Sequence, residues 1–385
     1  MTGLIPHADP HARVQGKTAA IRVAMVTSRF PPFLGGIETH VDEVAQRMAA
    51  RGVDVTVLTT DVSGRLLPRE DREGLTVRRF RAGPRGTDFH ASPSLVREIG
   101  SGRYDLVHVQ GLHTLLPPMT LRASQRAGIP TVVSFHTGGH SSRLRTAIRE
   151  PQWRALRPLL RRSNALVAVC AYEVAEFARR LGIEPRNIRL IRNGAEPLPV
   201  DEGAQTQVTG SPLISSVGRL ERYKGHHRLV AAMPALLEMA PDARLVIVGR
   251  GNYERQLRRL VARLGLGQAV TFTSFDIEER AELGGMIRSS DIVALMSEYE
   301  ANPVALMEAL ALGRKVVVAD TSGLTELATE GLATAVPLHA PPTELAKVLR
   351  SVAAAPGTKS FQLPTWDHCV DELLRVYAET VPTPR

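Results

Sequence analysis

The sequence predicts an α/β protein in which two doubly wound parallel-sheet domains face each other across a cleft. Three observations point there. Short, almost continuously apolar runs alternate with amphipathic stretches through both halves of the 385 residues, the pattern of strands covered on both faces by helices. Residues 196–212 (EPLPVDEGAQTQVTGSP) are polar and rich in Pro, Gly and Gln, and separate the halves as a linker does. Charge divides at the same place. Residues 1–195 carry 29 Lys and Arg against 16 Asp and Glu, a net +13, and residues 196–385 carry 19 against 23, a net −4.

In the first half the pattern predicts strands over 21–27, 54–60, 75–80, 106–110, 131–136, 165–170 and 188–192. Helices are expected over 38–51, 114–127 and 172–181. In the second half strands are expected over 213–217, 244–248, 270–275, 292–296, 315–319 and 334–337. Their helices fall over 225–239, 253–264, 277–289, 303–312 and 342–353. A Pro- and Gly-containing stretch, 356–364, precedes a last helix over 367–379. The expected organisation is a tail over 1–20, a first domain over 21–195, the linker, and a second domain over 213–355. Segment 356–385 follows, with the option of crossing back to the first domain.

Composition excludes several classes. With 43% hydrophobic and 23% charged residues, the chain is neither disordered nor fibrous. Cys170 and Cys369 stand far apart and outside any Cys-x-x-Cys pair, which argues against a disulfide framework or a cysteine zinc site and for a reducing cytoplasm. No apolar run approaches the ~18 residues of a membrane span, and residues 1–20 lack a signal peptide's apolar segment. Only five of the 48 basic residues are lysine, so each lysine invites a functional reading. Stretch 142–163 holds seven arginines and one acid, interleaved with Leu144, Ile148, Trp153, Leu156 and Leu160. It reads as an anionic-membrane surface or as a solvated helix pair. Pro151 and Pro158 are expected to break it, leaving at most weak, salt-sensitive lipid association.

Ligands of open α/β sheets bind beyond the carboxyl ends of the strands, so the loops there carry the chemistry. The first strand runs into SRFPPFLGGIETH, where Gly35 and Gly36 open a helix whose amides an anion can approach; a merely glycine-rich turn is the alternative. The strand over 213–217 runs into GRLERYKGHH, and Arg219 and Lys224 there suit a diphosphate, or else form a solvated basic turn. The strand over 292–296 is followed by SEYEANPVALMEALALG. Glu300 lies in that loop, Asn302 is a candidate N-cap, Pro303 can start the helix, and Glu308 lies two turns in. Both carboxylates can accept from vicinal hydroxyls, and amides over 302–304, Val304 included, can hold a phosphate. Glu308 is flanked by apolar residues, which makes it costly without a partner. His136 ends the strand over 131–136 in SFHTGGH, and His113, in HVQGLH at the neighbouring strand end, is a candidate for an acceptor pocket. No Asp-x-Asp, Walker motif, His-Glu-x-x-His or Gly-x-Ser-x-Gly occurs.

In order and spacing these strings resemble family 4 of the retaining glycosyltransferases, over roughly residues 21–380. The elements are the Gly35–Gly36 loop, FHT at His136, IRNGAE before the linker, GRLERYKG, VIVGRG, and the Glu-x7-Glu pair Glu300/Glu308. The resemblance implies the GT-B fold of two facing Rossmann-like domains. It also implies a donor diphosphate held by Arg219 and Lys224, ribose by Glu308, and the transferred sugar by Glu300 with His136 beside it. The glycine loop would lie near donor phosphate and acceptor. No metal or other cofactor is implied. The string Glu300-Ala301-Asn302-Pro303-Val304 departs from the Gly/Ser-Phe-Gly that many members carry after the first glutamate, which leaves the sugar open.

The expected activity is metal-independent, retaining transfer of a sugar from a nucleotide-sugar donor, UDP-sugar favoured, to a small hydrophilic acceptor. No nucleic-acid partner is expected, and oligomeric state is left open. The same chemistry on a lipid-linked acceptor is the first alternative. A GT-B sugar-nucleotide epimerase or a non-catalytic binding protein is the second.

Overall fold

The computed structural model describes residues 20–84, 91–136, 143–200, 208–357 and 362–381, with side chains of 143–150 excepted. The first unit opens with β1 (Arg22–Val26), α1 (Gly36–Ala50), β2 (Asp54–Asp61), β3 (Arg69–Arg72), β4 (Leu75–Arg81) and α2 (Pro93–Ile99). It continues through β5 (Leu106–Gln110), α3 (Leu116–Arg126), β6 (Thr131–Ser134), α4 (Arg143–Arg161), β7 (Ala165–Ala168), α5 (Ala171–Leu181) and β8 (Ile188–Leu190). The second contains β9 (Leu213–Val217), α6 (His226–Met239), β10 (Arg244–Val248), α7 (Glu254–Arg263), β11 (Val270–Thr273), α8 (Arg280–Ser289) and β12 (Ile292–Leu295). After it come α9 (Val304–Ala311), β13 (Lys315–Asp320), α10 (Ser322–Thr329), β14 (Thr334–Pro337), α11 (Pro342–Ala354) and α12 (Trp366–Thr380).

The sheets run β3-β4-β2-β1-β5-β6-β7-β8 and β11-β10-β9-β12-β13-β14. All described pairings are parallel except β3 with β4. Strand order reverses between β1 and β5 and again between β9 and β12. Those switch points are where an open α/β sheet parts its loops to make a crevice. The loops after β1 and β5 contain Gly35, Gly36 and His113, and those after β9 and β12 contain Arg219, Lys224 and Glu300. Topology alone therefore gathers the candidate residues.

Three elements escape the periodicity. β3 (REDR) is a charged antiparallel edge strand, which resists edge pairing and has no apolar signature. α2 and α10 span only seven and eight residues. A fourth element corrects an expectation: α4 is one helix of 19 residues that contains both Pro151 and Pro158. The two prolines are exposed, whereas Trp153, Leu156 and Leu160 are buried. Trp153 packs on Phe177 of α5 at 5.1 Å. Core burial at about 1.5–3 kcal/mol per large apolar side chain offsets the hydrogen bonds the prolines remove. Trp153, Leu156 and Leu160 of α4 are thus committed to the first domain's core.

After the second domain the chain returns, and α12 packs on the first. Trp366, Cys369, Val370, Leu373, Val376 and Tyr377 share a core with Val23 and Met25 of β1 and Val41, Val44 and Met48 of α1. The crossing is tight. The Ala195 amide donates to the Pro364 carbonyl at 2.7 Å, and a Cβ on Gly194 would lie 2.4 Å from the Trp366 nitrogen. Leu373→Ala is therefore expected to cost about 2–5 kcal/mol and to hasten hydrogen exchange in β1 and β2, leaving β9 and β10 unchanged. Equal acceleration in both sheets would show that α12 does not belong to the first domain's cooperative unit.

Candidate active site

On the second domain, β9 delivers the chain into a short turn and then Gly225, whose φ of 76° lies in the left-handed region. A Cβ there would stand 1.8 Å from the Met296 carbonyl oxygen, so only glycine lets this turn press against the end of β12. The contact brings Lys224 to Glu300: Nζ donates to Oε1 at 2.5 Å, with the side chains 14% and 8% exposed. Ser297 Oγ donates to the same carboxylate oxygen at 2.8 Å. Burial disfavours the Lys224 ammonium, yet Glu300 more than offsets this and its pKa is raised. The Glu300 loop is pinned from behind. Its amide donates to Ser322 Oγ at 2.9 Å, and Gly323 donates to its carbonyl at 2.9 Å.

Arg219 is placed differently from Lys224. Its Nη2 donates to the Tyr223 hydroxyl at 3.0 Å and Nη1 pairs with Glu221 at 2.8 Å, the guanidinium half-exposed. Glu308 lies on α9, 7% exposed, and pairs with Arg280 of α8 at 2.8 Å. Burial raises its pKa, and Arg280 partly counters that. The partner its apolar flanks required comes from another helix, so no local pattern revealed it. Asn302 is not the N-cap: Pro303 is, and α9 begins at Val304. Pro303 has no N–H to offer, so the leading amides of α9 are those of Val304 and Ala305. The Asn302 carbonyl is held instead by Asn193 Nδ2 at 3.0 Å.

On the first domain, Gly35 caps α1 in extended conformation and Gly36 is its first residue. A Cβ on Gly36 would lie 3.9 Å from Val304 Cγ2, so the tips of α1 and α9 meet across the domain boundary. Two helix N-termini converge there, each carrying about half a positive charge. Glu38, not singled out from sequence, folds its carboxylate over Gly35, where a Cβ would lie 2.3 Å from Oε2. Its pKa is raised by burial, against the pull of Arg29 and Arg219. An acid in a helix's first turn is the one sequence cue to it.

Behind this tip sits a cluster of histidines. His136, 6% exposed and at φ 42°, shares a 2.8 Å hydrogen bond between Nε2 and Gln110 Oε1. The amide oxygen can only accept, so that nitrogen carries the proton. His113, exposed at the rim, bonds the His136 carbonyl through Nε2 at 2.8 Å and helps hold the left-handed backbone. His40 of α1 packs edge-on against His136 at 4.3 Å. His108 bonds the Tyr377 hydroxyl of α12 at 2.6 Å and Ser134 Oγ at 2.8 Å. The residues after His136, through 142, lie outside the described residues.

Burial lowers the His40 pKa from 6.5 to about 4 and that of His108 to about 3, and holds His136 well below its usual range. These side chains fold neutral, so below about pH 6.5 the unfolded chain takes up protons that the folded chain refuses. Stability is thus present above 6.5 and is lost as pH falls toward 4. For His40 alone the loss is on the order of 3 kcal/mol across that window. Urea midpoints measured from about pH 7.5 down to about pH 4.5 are expected to fall accordingly. A flat profile contradicts it.

The model of Glycosyltransferase Family 4 matches residues 34–197, and that of Glycosyl transferases group 1 matches 201–359. D-inositol 3-phosphate glycosyltransferase of Stackebrandtia nassauensis is 29% identical, over 94% of this chain and 92% of its own. Anabaena HepE in complex with UDP-glucose superposes with a TM-score of 0.72 at 20% identity, covering 93% of this chain and 99% of that one. Sucrose-phosphate synthase from Thermosynechococcus elongatus gives 0.71 at 19% identity, covering 93% and 98%. Two consecutive family models, two facing parallel sheets and a chain that returns to the first place this protein among the family 4 glycosyltransferases of GT-B fold.

Proposed function

We propose that the protein transfers a sugar, with retention, from a nucleotide-sugar donor to a small hydrophilic acceptor, and that UDP-sugars are the favoured donors. The observation that carries the reading is the convergence, at the β9/β12 switch point, of Lys224, Glu300 and the tip of α9. The UDP-glucose complex of a structural neighbour supports the donor class. Relatives named for inositol phosphate and sucrose phosphate chemistry support a polyhydroxyl acceptor. Burial of Trp153, Leu156 and Leu160 of α4 in the core supports that acceptor over a lipid-linked one.

In this reading the donor diphosphate lies over Lys224 and Arg219, with the leading amides of α9 facing its oxygens. Glu308 accepts from the ribose hydroxyls and Glu300 from the sugar. As the bond from anomeric carbon to diphosphate oxygen lengthens, negative charge grows on the leaving group, where Lys224 and Arg219 stabilise it. The acceptor hydroxyl attacks from the face the leaving group vacates, and its proton passes to the departing oxygen. His136 lines the sugar side, while Gly35, Gly36 and His113 border the acceptor. Lys224 is held by Glu300 before donor binds, so the diphosphate draws on a cation already positioned, at little cost in reorganisation.

No metal enters this scheme. The sequence has no Asp-x-Asp, and among the described residues no group of three His, Cys, Asp or Glu is placed to hold one. Arg219 and Lys224 supply the positive charge instead. Turnover is accordingly expected to persist in chelator, and loss of activity restored by magnesium or manganese would contradict that.

A thermal-shift screen of nucleotide sugars tests the donor class, since a ligand at 100 times its Kd adds about 2.7 kcal/mol. Lys224→Ala and Arg219→Ala are each expected to lower turnover of the donor so identified by about 10²–10³-fold, roughly 2.7–4 kcal/mol, with the unfolding transition retained. Turnover within threefold of wild type in both variants overturns the assignment.

A further inference from the structure

The IRNGAE string before the linker has no role in the scheme so far, yet it sits where the chain passes between the domains. Gly194 gives way to the returning backbone at Trp366, and Ala195 is bonded to Pro364. Asn193, 3% exposed, stands at the head of this crossing and reaches in both directions. Its Nδ2 donates 3.0 Å to the carbonyl oxygen of Asn302, two residues beyond Glu300 in the second domain. Its Oδ1 lies 2.9 Å from Nδ1 of His40 in the first.

The chemistry of the partners sets the direction of every bond. A backbone carbonyl only accepts, so the amide nitrogen must face Asn302, and the amide oxygen must face His40. His40 then carries its proton on Nδ1. Its other nitrogen, Nε2, is buried without a hydrogen-bond partner. The same ring packs edge-on against His136 at 4.3 Å and against Trp366, the first residue of α12, at 5.7 Å. The Asn193–His40 pair thus links the Glu300 loop, the His136 ring and the returning helix. Nothing bonds His136 to the second domain directly among the contacts described; the path runs through His40 and Asn193.

We propose that Asn193 is a positioning residue for sugar transfer, registering the Glu300 loop of one domain against the His40–His136 pair of the other. The proposal rests on the functional reading above, in which Glu300 and His136 flank the same sugar. Transfer needs both domains' groups aligned on one anomeric centre, and a misplacement of about 1 Å can cost on the order of 10²-fold. The diphosphate contacts of Lys224, Arg219 and the α9 amides lie within the second domain and involve no atom of Asn193. Loss of the bridge therefore falls on kcat rather than on nucleotide affinity.

Asn193→Asp tests it with almost no change of shape. The carboxylate can still accept from His40, but it cannot donate to the Asn302 carbonyl and repels it. Asn193→Ala removes both bonds. With UDP-glucose as the probe, the expected result for each variant is UDP release slowed at least tenfold, with UDP affinity by calorimetry within threefold of wild type. Release within twofold of wild type in the aspartate variant, or UDP affinity weakened by the same factor as the rate, overturns the proposal.

A second measurement stands apart from activity. In ¹⁵N-histidine spectra, wild-type His40 is expected to hold its proton on Nδ1. Asn193→Asp is expected to shift the ring resonances of His136, which it does not touch. Unmoved His136 resonances overturn the proposal even where the variant folds poorly enough to slow catalysis. If wild type binds no nucleotide sugar while the His136 resonances do respond, the functional reading fails and the bridge stands.

Discussion

Two opposite charges set side by side and largely withdrawn from solvent, Lys224 and Glu300, constrain the rest of this structure. A buried ion pair breaks even only when its geometry is good and its remaining hydrogen-bonding capacity is met. The surroundings meet that condition. Ser297 donates to the carboxylate, the Tyr223 ring lies under the ammonium at 5.4 Å, and Ser322 and Gly323 fix the loop backbone. Gly225 and Gly323 each press to within 1.8 Å, measured from an added Cβ, of a carbonyl oxygen in or beside that loop. Glycine is needed at both because a side chain at Gly225 would push the Lys224 turn off the end of β12, and one at Gly323 would displace the Glu300 loop itself.

The pair matters because of what faces it. A parallel sheet with a reversed strand order opens its crevice at one place, and both sheets open toward each other here. The tips of α1 and α9 touch there, adding the partial positive ends of two helices to Lys224 and Arg219. Keeping two such electropositive helix tips in register calls for more than surface contact. Between them run the Asn193–Asn302 bond, the Glu326 carboxylate that accepts from the Ala171 and Tyr172 amides, and Arg192 against Glu326 and Glu330. The α5 N-terminus has no side-chain cap of its own, so the facing domain caps it.

Much of this was legible in the amino-acid order because the strands are buried on both faces. Val, Ile and Leu runs at β5, β9 and β10 mark their own boundaries, and the glycine turns mark the loops. The antiparallel β3 was silent because a charged edge strand has no reason to be apolar. The prolines of α4 were misleading for a related reason: sequence shows the local penalty but not the core that Trp153, Leu156 and Leu160 enter. At the site, Lys224, Glu300 and His136 were visible as residues at strand ends. Arg280 against Glu308 and Asn193 between two domains were not, since each depends on a partner far away in sequence, and Glu38 over Gly35 carried only the cue of an acid in a first helical turn. Asn302 shows the limit of cap rules, because Pro303 occupies the flanking position and frees the Asn302 carbonyl to serve the domain bridge.

The central claim is that Lys224 and Arg219, with the tip of α9, hold a donor diphosphate without a metal. The most direct measurement is a crystal structure of the protein grown with UDP in chelator. The account predicts diphosphate oxygens within about 3 Å of Lys224 Nζ and the Arg219 guanidinium, at the mouth of α9. A diphosphate bound away from these groups, with Lys224 still engaged only by Glu300, would contradict it.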